Sequence, residues 1–110
     1  VEDVFSYARH NRVEDVERLL DQGVPADVRD AHGNTIIIVA CQNGHKRVLK
    51  AALRRGADVN VTNARGNTAL HYCFAFGYGQ TLGKYLMDKG ANATVRNRSG
   101  LVSVVEQGEI

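Results

Sequence analysis

Four side chains of the right type for metal or nucleophilic chemistry fall near one another along this chain: Cys41 with His45, and His71 with Cys73. Cys41 and His45 stand at i, i+4, a spacing that places two ligands on one helix face. Gly44 lies between them, however, and a glycine there ends a helix and removes that geometry. Both thiols also sit in apolar surroundings, beside Ala40 and Phe74, where general burial tendencies favour inert structural cysteines. No Gly-rich phosphate loop or paired-carboxylate motif appears in a matching context. Gly77-Tyr78-Gly79 reads as a helix-ending loop. The sequence thus predicts no catalytic residue, no cofactor and no metal, and no small-molecule substrate.

A second candidate is electrostatic. Lys46, Arg47, Lys50, Arg54 and Arg55 form the densest basic cluster, and Lys46, Lys50 and Arg54 make one stripe at i, i+4, i+8. Aligned cations attract phosphates, so a nucleic-acid or phosphoinositide surface is one reading. No aromatic residues are interleaved with them, and a pI near 8.7 is mild for a nucleic-acid binder. A solvated outer helix face is the reading preferred here. A third candidate is aromatic: Tyr72, Phe74, Phe76 and Tyr78 alternate before and after Gly77. Alternation suggests a strand, but Thr68 as a cap and Gly77 as a terminator argue for a helix lined with aromatics.

The elements that hold these residues follow from composition and period. With 110 residues the chain is long enough for one domain with one modest core. At 44% hydrophobic and 24% charged residues it lies near the average of folded proteins, which excludes wholesale disorder. The longest uncharged apolar run, Thr35 to Cys41, is far short of the roughly 20 residues of a membrane span. Glu2 and Asp3 stand where a secretion signal has lysines. Two cysteines without a secretory context argue for reduced thiols, and so for a cytoplasmic setting or a nuclear one. The formal charge of +2 hides an uneven layout, with eight acids against four bases in residues 1–30 and four against ten in residues 31–110.

The glycines carry a period. Ala31-His32-Gly33-Asn34-Thr35 recurs 33 residues on as Ala64-Arg65-Gly66-Asn67-Thr68. Gly44 maps onto Gly77, while Gly23, Gly56 and Gly90 follow at offsets of 33 and 34, as do Gly33, Gly66 and Gly100. One residue is therefore inserted between Gly77 and Gly90, within Tyr78-Gly79-Gln80. Each period opens on a threonine cap, Thr35 or Thr68, runs through a short apolar helix to a glycine, and continues as an amphipathic helix. The apolar stripes are Val13, Val16, Leu19 and Leu20, then Val48, Leu49, Ala52 and Leu53, then Leu82, Tyr85, Leu86 and Met87. Polar turns with Asp, Asn and glycine link one period to the next.

This pattern resembles the ankyrin-repeat family, on Gly33-Asn34-Thr35 through Gly44-His45 to Gly56-Ala57-Asp58-Val59-Asn60, and on Gly66-Asn67-Thr68-Ala69-Leu70-His71 through Gly77 to Gly90-Ala91-Asn92. The resemblance covers essentially the whole chain. It implies an all-α solenoid of stacked helix-turn-helix units with short β-hairpin loops. Residues 1–29 resemble an N-terminal capping repeat, 30–62 a repeat, 63–96 a repeat with the inserted residue, and 97–110 a repeat that stops within its first helix. The family's Thr-Pro-Leu-His motif is Thr-Ala-Leu-His at 68–71 but Thr35-Ile36-Ile37-Ile38 in the preceding repeat. Ile38 then replaces a polar tie between loops by packing, or loosens that junction. His45 and His71 fall where the family uses histidines for structural hydrogen bonds. Asn60 resembles asparagines that are hydroxylated in many such repeats.

The resemblance further implies a non-catalytic protein–protein interaction module. Its contacts would lie on hairpin tips and the exposed ends of first helices, carried here by His32, Asn34, Gln42, Asn43, Arg65, Asn67, Ala75, Phe76 and Arg98. His32, Arg65 and Arg98 would make that groove basic, with Phe76 as an aromatic anchor, so the expected partner is an acidic and hydrophobic peptide or protein surface. Phe76 has a competing reading, in which it packs beneath the Tyr78 loop. Nucleic acid and a membrane span are not expected.

Overall fold

The computed structural model describes residues 3–103. Three helix pairs follow one another: α1 (Val4–Arg9) with α2 (Val13–Asp21), α3 (Ile36–Asn43) with α4 (Lys46–Arg54), and α5 (Ala69–Ala75) with α6 (Lys84–Asp88). Each is too short to persist alone in water, so its stability comes from stacking on its neighbours. The stacking follows the sequence stripes. Val13, Val16, Leu19, Leu20, Val48, Leu49, Ala52, Leu82 and Leu86 are buried, and Ala51 joins them. Helix α3 packs on both α1 and α5, and every residue from Ile36 to Cys41 is buried. It is the centre of the molecule. Met87, expected in the third stripe, is exposed instead, because α6 turns Leu86 inward and leaves Met87 on its outer side.

The caps are those the threonines dictate. Thr35 and Thr68, in extended backbone, accept from the amides of Ile38 and His71 three residues on. Gly44, in the left-handed region at φ 73°, ends α3 one residue before His45, so Cys41 and His45 do not share a helix. The inserted residue of the third repeat is absorbed as one turn of π-helix, Gly79–Gly83, that runs straight into α6. Gly79 permits this turn, because a Cβ there would overlap the Phe74 ring, and Gly83 lies close under the same ring, where a Cβ would press on it at 3.2 Å.

The loops between repeats are hairpin turns, and among the described residues none is long enough to form a regular strand. In each, an Asx side chain holds the turn. Asp30 Oδ1 accepts from His32 N (2.8 Å) and Asn34 N (2.9 Å). Asn63 and Asn97 do the same for Arg65 and Asn67, and for Ser99 and Leu101, at 3.0 Å each. Adjacent tips are tied by Ala64 N donating to His32 O and Arg98 N donating to Arg65 O, both at 3.0 Å. Gly66 is required here on two counts. Its φ is +76°, and a Cβ would come within 2.9 Å of Arg98 N. The rest of the terminal repeat, from Val104 onward, lies outside the described residues.

Candidate functional site

The hairpin tips and first helices meet along one side of the stack in a polar depression of about 330 Å³ lined by His32, Asn34, Gln42, Asn63, Ala64, Arg65 and Tyr72. Four of the nine residues singled out by sequence are brought together there: His32, Asn34, Gln42 and Arg65. Asn67 and Ala75 line a neighbouring depression of about 640 Å³, with His71, Tyr72, Phe74, Gln80, Asn97 and Leu101 among its walls. Phe76 does not pack beneath Tyr78. It is 55% exposed and stacks on Tyr72, with ring centres 6.0 Å apart and planes at 10°. Phe76 itself lines neither depression but stacks on Tyr72, which lines both. Asn43 and Arg98 also line neither. Asn43 is exposed and folds back, its Nδ2 donating to Val39 O at 2.8 Å across the end of α3. Arg98 is exposed on the last hairpin tip.

Sequence reasoning missed Asn63 and Tyr72, which organise the floor. The Asn63 amide donates to Asn34 Oδ1 (2.9 Å) and to the Tyr72 hydroxyl (2.8 Å). The Asn67 amide donates to the same hydroxyl (3.3 Å) and receives the Asn97 amide on its own oxygen (2.8 Å). A ladder of asparagines therefore runs from repeat to repeat under the groove. Because the Tyr72 oxygen accepts twice, its own proton is left to point outward as a donor. The recurrence of Asp30, Asn63 and Asn97 at one phase of the period was the signal that could have found the ladder. Nothing in the local sequence of Tyr72 distinguishes it from a core aromatic.

Electrostatics sharpen the picture. The Asp30 carboxyl is raised by burial, but the amides of Asn34 and His32, the Asn34 side chain and the nearby His32 ring outweigh this and hold it below its usual value of 3.8. It remains a turn-forming carboxylate beneath the His32 tip. The histidines act structurally. His71 Nδ1 accepts from Thr68 N (3.0 Å), which leaves Nε2 to donate to Leu101 O in the next loop (2.9 Å). His45 Nε2 donates to Arg9 O at the end of α1 (2.8 Å). Cys41 and Cys73 are fully buried free thiols, and a hydrogen bond with Cys73 together with burial pushes the Cys41 thiol well above its ordinary value. Among the described residues no group of His, Cys, Asp and Glu side chains is placed to hold a metal. Asn60 is partly buried and doubly engaged, accepting from Asn92 N (2.7 Å) and donating to Gly90 O (3.1 Å).

The basic cluster of the outer helices divides in two. Arg47 pairs with Glu14 (3.6 Å), and Arg55 pairs with Glu17 (3.6 Å) and Asp21 (2.9 Å). The hydrogen bond from Arg55, aided by its charge, outweighs the effect of burial and holds Asp21 below the usual carboxylate range. Lys46 and Lys50 turn instead toward α6. Among the described residues no helix is long and apolar enough to cross a membrane.

Known proteins share this architecture. Residues 5–97 match the family described as ankyrin repeats in three copies. The chain is 29% identical over 100 residues to the Ankyrin repeat-containing protein P1E11.10 of Schizosaccharomyces pombe, covering 91% of this chain and 47% of that protein. It is 45% identical over 47 residues to the mouse Protein fem-1 homolog A-like, covering 43% of this chain and 7% of the relative. Over 75 residues it is 37% identical to the ADP-ribosylation factor GTPase-activating protein AGD2 of Arabidopsis thaliana, covering 68% of this chain and 9% of that one. The chain thus spans less than half the length of each of these relatives. Matched over most of its length, it belongs to the ankyrin-repeat family.

Proposed function

We propose that this chain, as one domain over residues 1–110, recognises an acidic and hydrophobic segment of a partner protein along the groove of hairpin tips and first helices, without catalysis. Ankyrin repeats are in general protein–protein interaction modules. The observation that carries the finer reading is Phe76. A phenylalanine 55% exposed on the end of a helix, stacked on Tyr72 at the edge of a polar groove, gains from being covered. Arg65 on the rim supplies positive charge for a partner's acids, and the His32 ring and the Tyr72 hydroxyl supply hydrogen-bonding groups. A cytoplasmic setting, or a nuclear one, suits two free thiols.

The test is a quantitative pull-down from native lysate, comparing the wild-type chain with Arg65→Glu/Phe76→Glu and with Lys46→Glu/Lys50→Glu. The groove reading predicts proteins lost from the first variant and retained by the second. Loss from the outer-helix variant alone would move the site to the other side of the molecule.

A further inference from the structure

Three ammonium groups converge on a single ring at the junction of α4 and α6. Lys46 Nζ lies 5.1 Å, Lys50 Nζ 5.5 Å and Lys89 Nζ 5.5 Å from the centre of Tyr85. No two of them can therefore be more than about 11 Å apart, close to a Debye length at physiological salt. Lys46 and Lys50 are one turn apart on α4, while Tyr85 and Lys89 come one turn apart from α6 and its end. The cluster is therefore built by stacking and is invisible in either repeat alone. The ring holds the lysines by its negative face but carries no net charge, so their mutual repulsion stays uncompensated. The neighbouring arginines differ, since Arg47 and Arg55 are paired with the carboxylates of α2. Among the described residues no carboxylate pairs with Lys46, Lys50 or Lys89.

We propose that Lys46, Lys50 and Lys89, arranged around Tyr85, form a binding site for a compact, multiply charged phosphate anion of the polyphosphate class. A single ligand with several adjacent phosphates bridges all three ammonium groups and relieves their repulsion. The surroundings favour a compact anion over an extended one. The outer face of the neighbouring α2 carries Glu14, Glu17 and Asp21 against α4, so a nucleic-acid strand or an anionic membrane extending along it meets carboxylates next to the cluster. The proposal is independent of the groove.

Calorimetric titration of the full chain with tripolyphosphate, with orthophosphate as comparator, tests it. Wild type should bind tripolyphosphate at least about tenfold more tightly than orthophosphate, and Lys50→Gln/Lys89→Gln should lose about tenfold or more. Lys84→Gln removes an exposed lysine of the same helix that lies off the ring, and should change affinity less than about twofold. Equal losses in both variants, or no measurable binding by wild type at low salt, would overturn the site. Tighter binding to duplex DNA or to phosphoinositide vesicles, with the same lysine dependence, would overturn the ligand class. Melting curves establish that each variant is folded, and Lys46→Gln replaces the double variant if that one is not.

Discussion

The second and third repeats have the same backbone plan and fill it with opposite chemistry. In the second, α3 opens on Thr35, whose hydroxyl makes a long 3.5 Å bond to Ile38 N, and the position facing the next loop is Ile38 itself, fully buried. In the third, Thr68 and His71 cap each other reciprocally, and His71 reaches across to Leu101 O. The same contrast appears at the exposed end of each first helix. Asn43 folds back onto Val39 O, whereas its counterpart Phe76 stands out on Tyr72. The apolar second repeat anchors the stack. The third gives up apolar packing for a hydrogen-bonded junction and an exposed aromatic ring.

The largest effect should come from emptying the apolar junction. Ile38→Ala removes a fully buried side chain from the helix packed on both neighbours, and should cost about 3 kcal/mol in chemical denaturation. His71→Ala, at the matching position of the third repeat, removes the capping partner and the tie to Leu101. It should cost about 2 kcal/mol, and a loss equal to that of Ile38→Ala would erase the contrast. Smaller still is Ile38→His, which rebuilds the polar junction one repeat earlier. With Thr35 beside it and the Asn67 carbonyl in the place of Leu101's, it should lose about 1 kcal/mol, less than Ile38→Ala. Ile38→His as damaging as Ile38→Ala would show that the second repeat cannot adopt the polar plan.

The smallest effect at neutral pH concerns the turns. Asp30→Asn gives the first hairpin the side chain that Asn63 and Asn97 already use, and should change stability by less than about 0.5 kcal/mol at pH 7. Its mark is in acid. The folded carboxyl of Asp30 is held below its ordinary 3.8, so its contribution is complete above that value and is lost as pH falls through the lower folded value. Wild type should therefore lose stability relative to Asp30→Asn below about pH 4, and parallel pH profiles would contradict this.

Much of this was legible in the sequence because the period writes each constraint three times. Gly33, Gly66 and Gly100 share one phase, and all three are left-handed turn positions. The threonine caps and the buried stripes of α2 and α4 followed from local spacing. The inserted residue was located but its form was not, since a π-turn depends on Phe74 packing onto two glycines. Features that arise between repeats stayed hidden: the pairing of Arg55 with α2, and the lysines of α4 around Tyr85. In each, the two partners lie on different repeats, so no spacing within one period records them. Tyr72 was missed for another reason, since its partners Asn63 and Asn67 lie in the turn of its own repeat and only the folded hairpin brings them to its hydroxyl. Asn43 and Arg98, assigned to the groove by their phase, line neither depression. Phase fixes the height of a residue in the stack but not the direction its side chain takes.

The most direct test of partner recognition through the third repeat exchanges its exposed aromatic for the residue at the same phase in the second. With a partner protein retained by the wild-type chain in hand, its affinity for Phe76→Asn should fall about tenfold or more at an unchanged melting temperature, since a largely exposed side chain contributes little to the fold. Unaltered affinity for Phe76→Asn would contradict the account and remove the aromatic anchor from it.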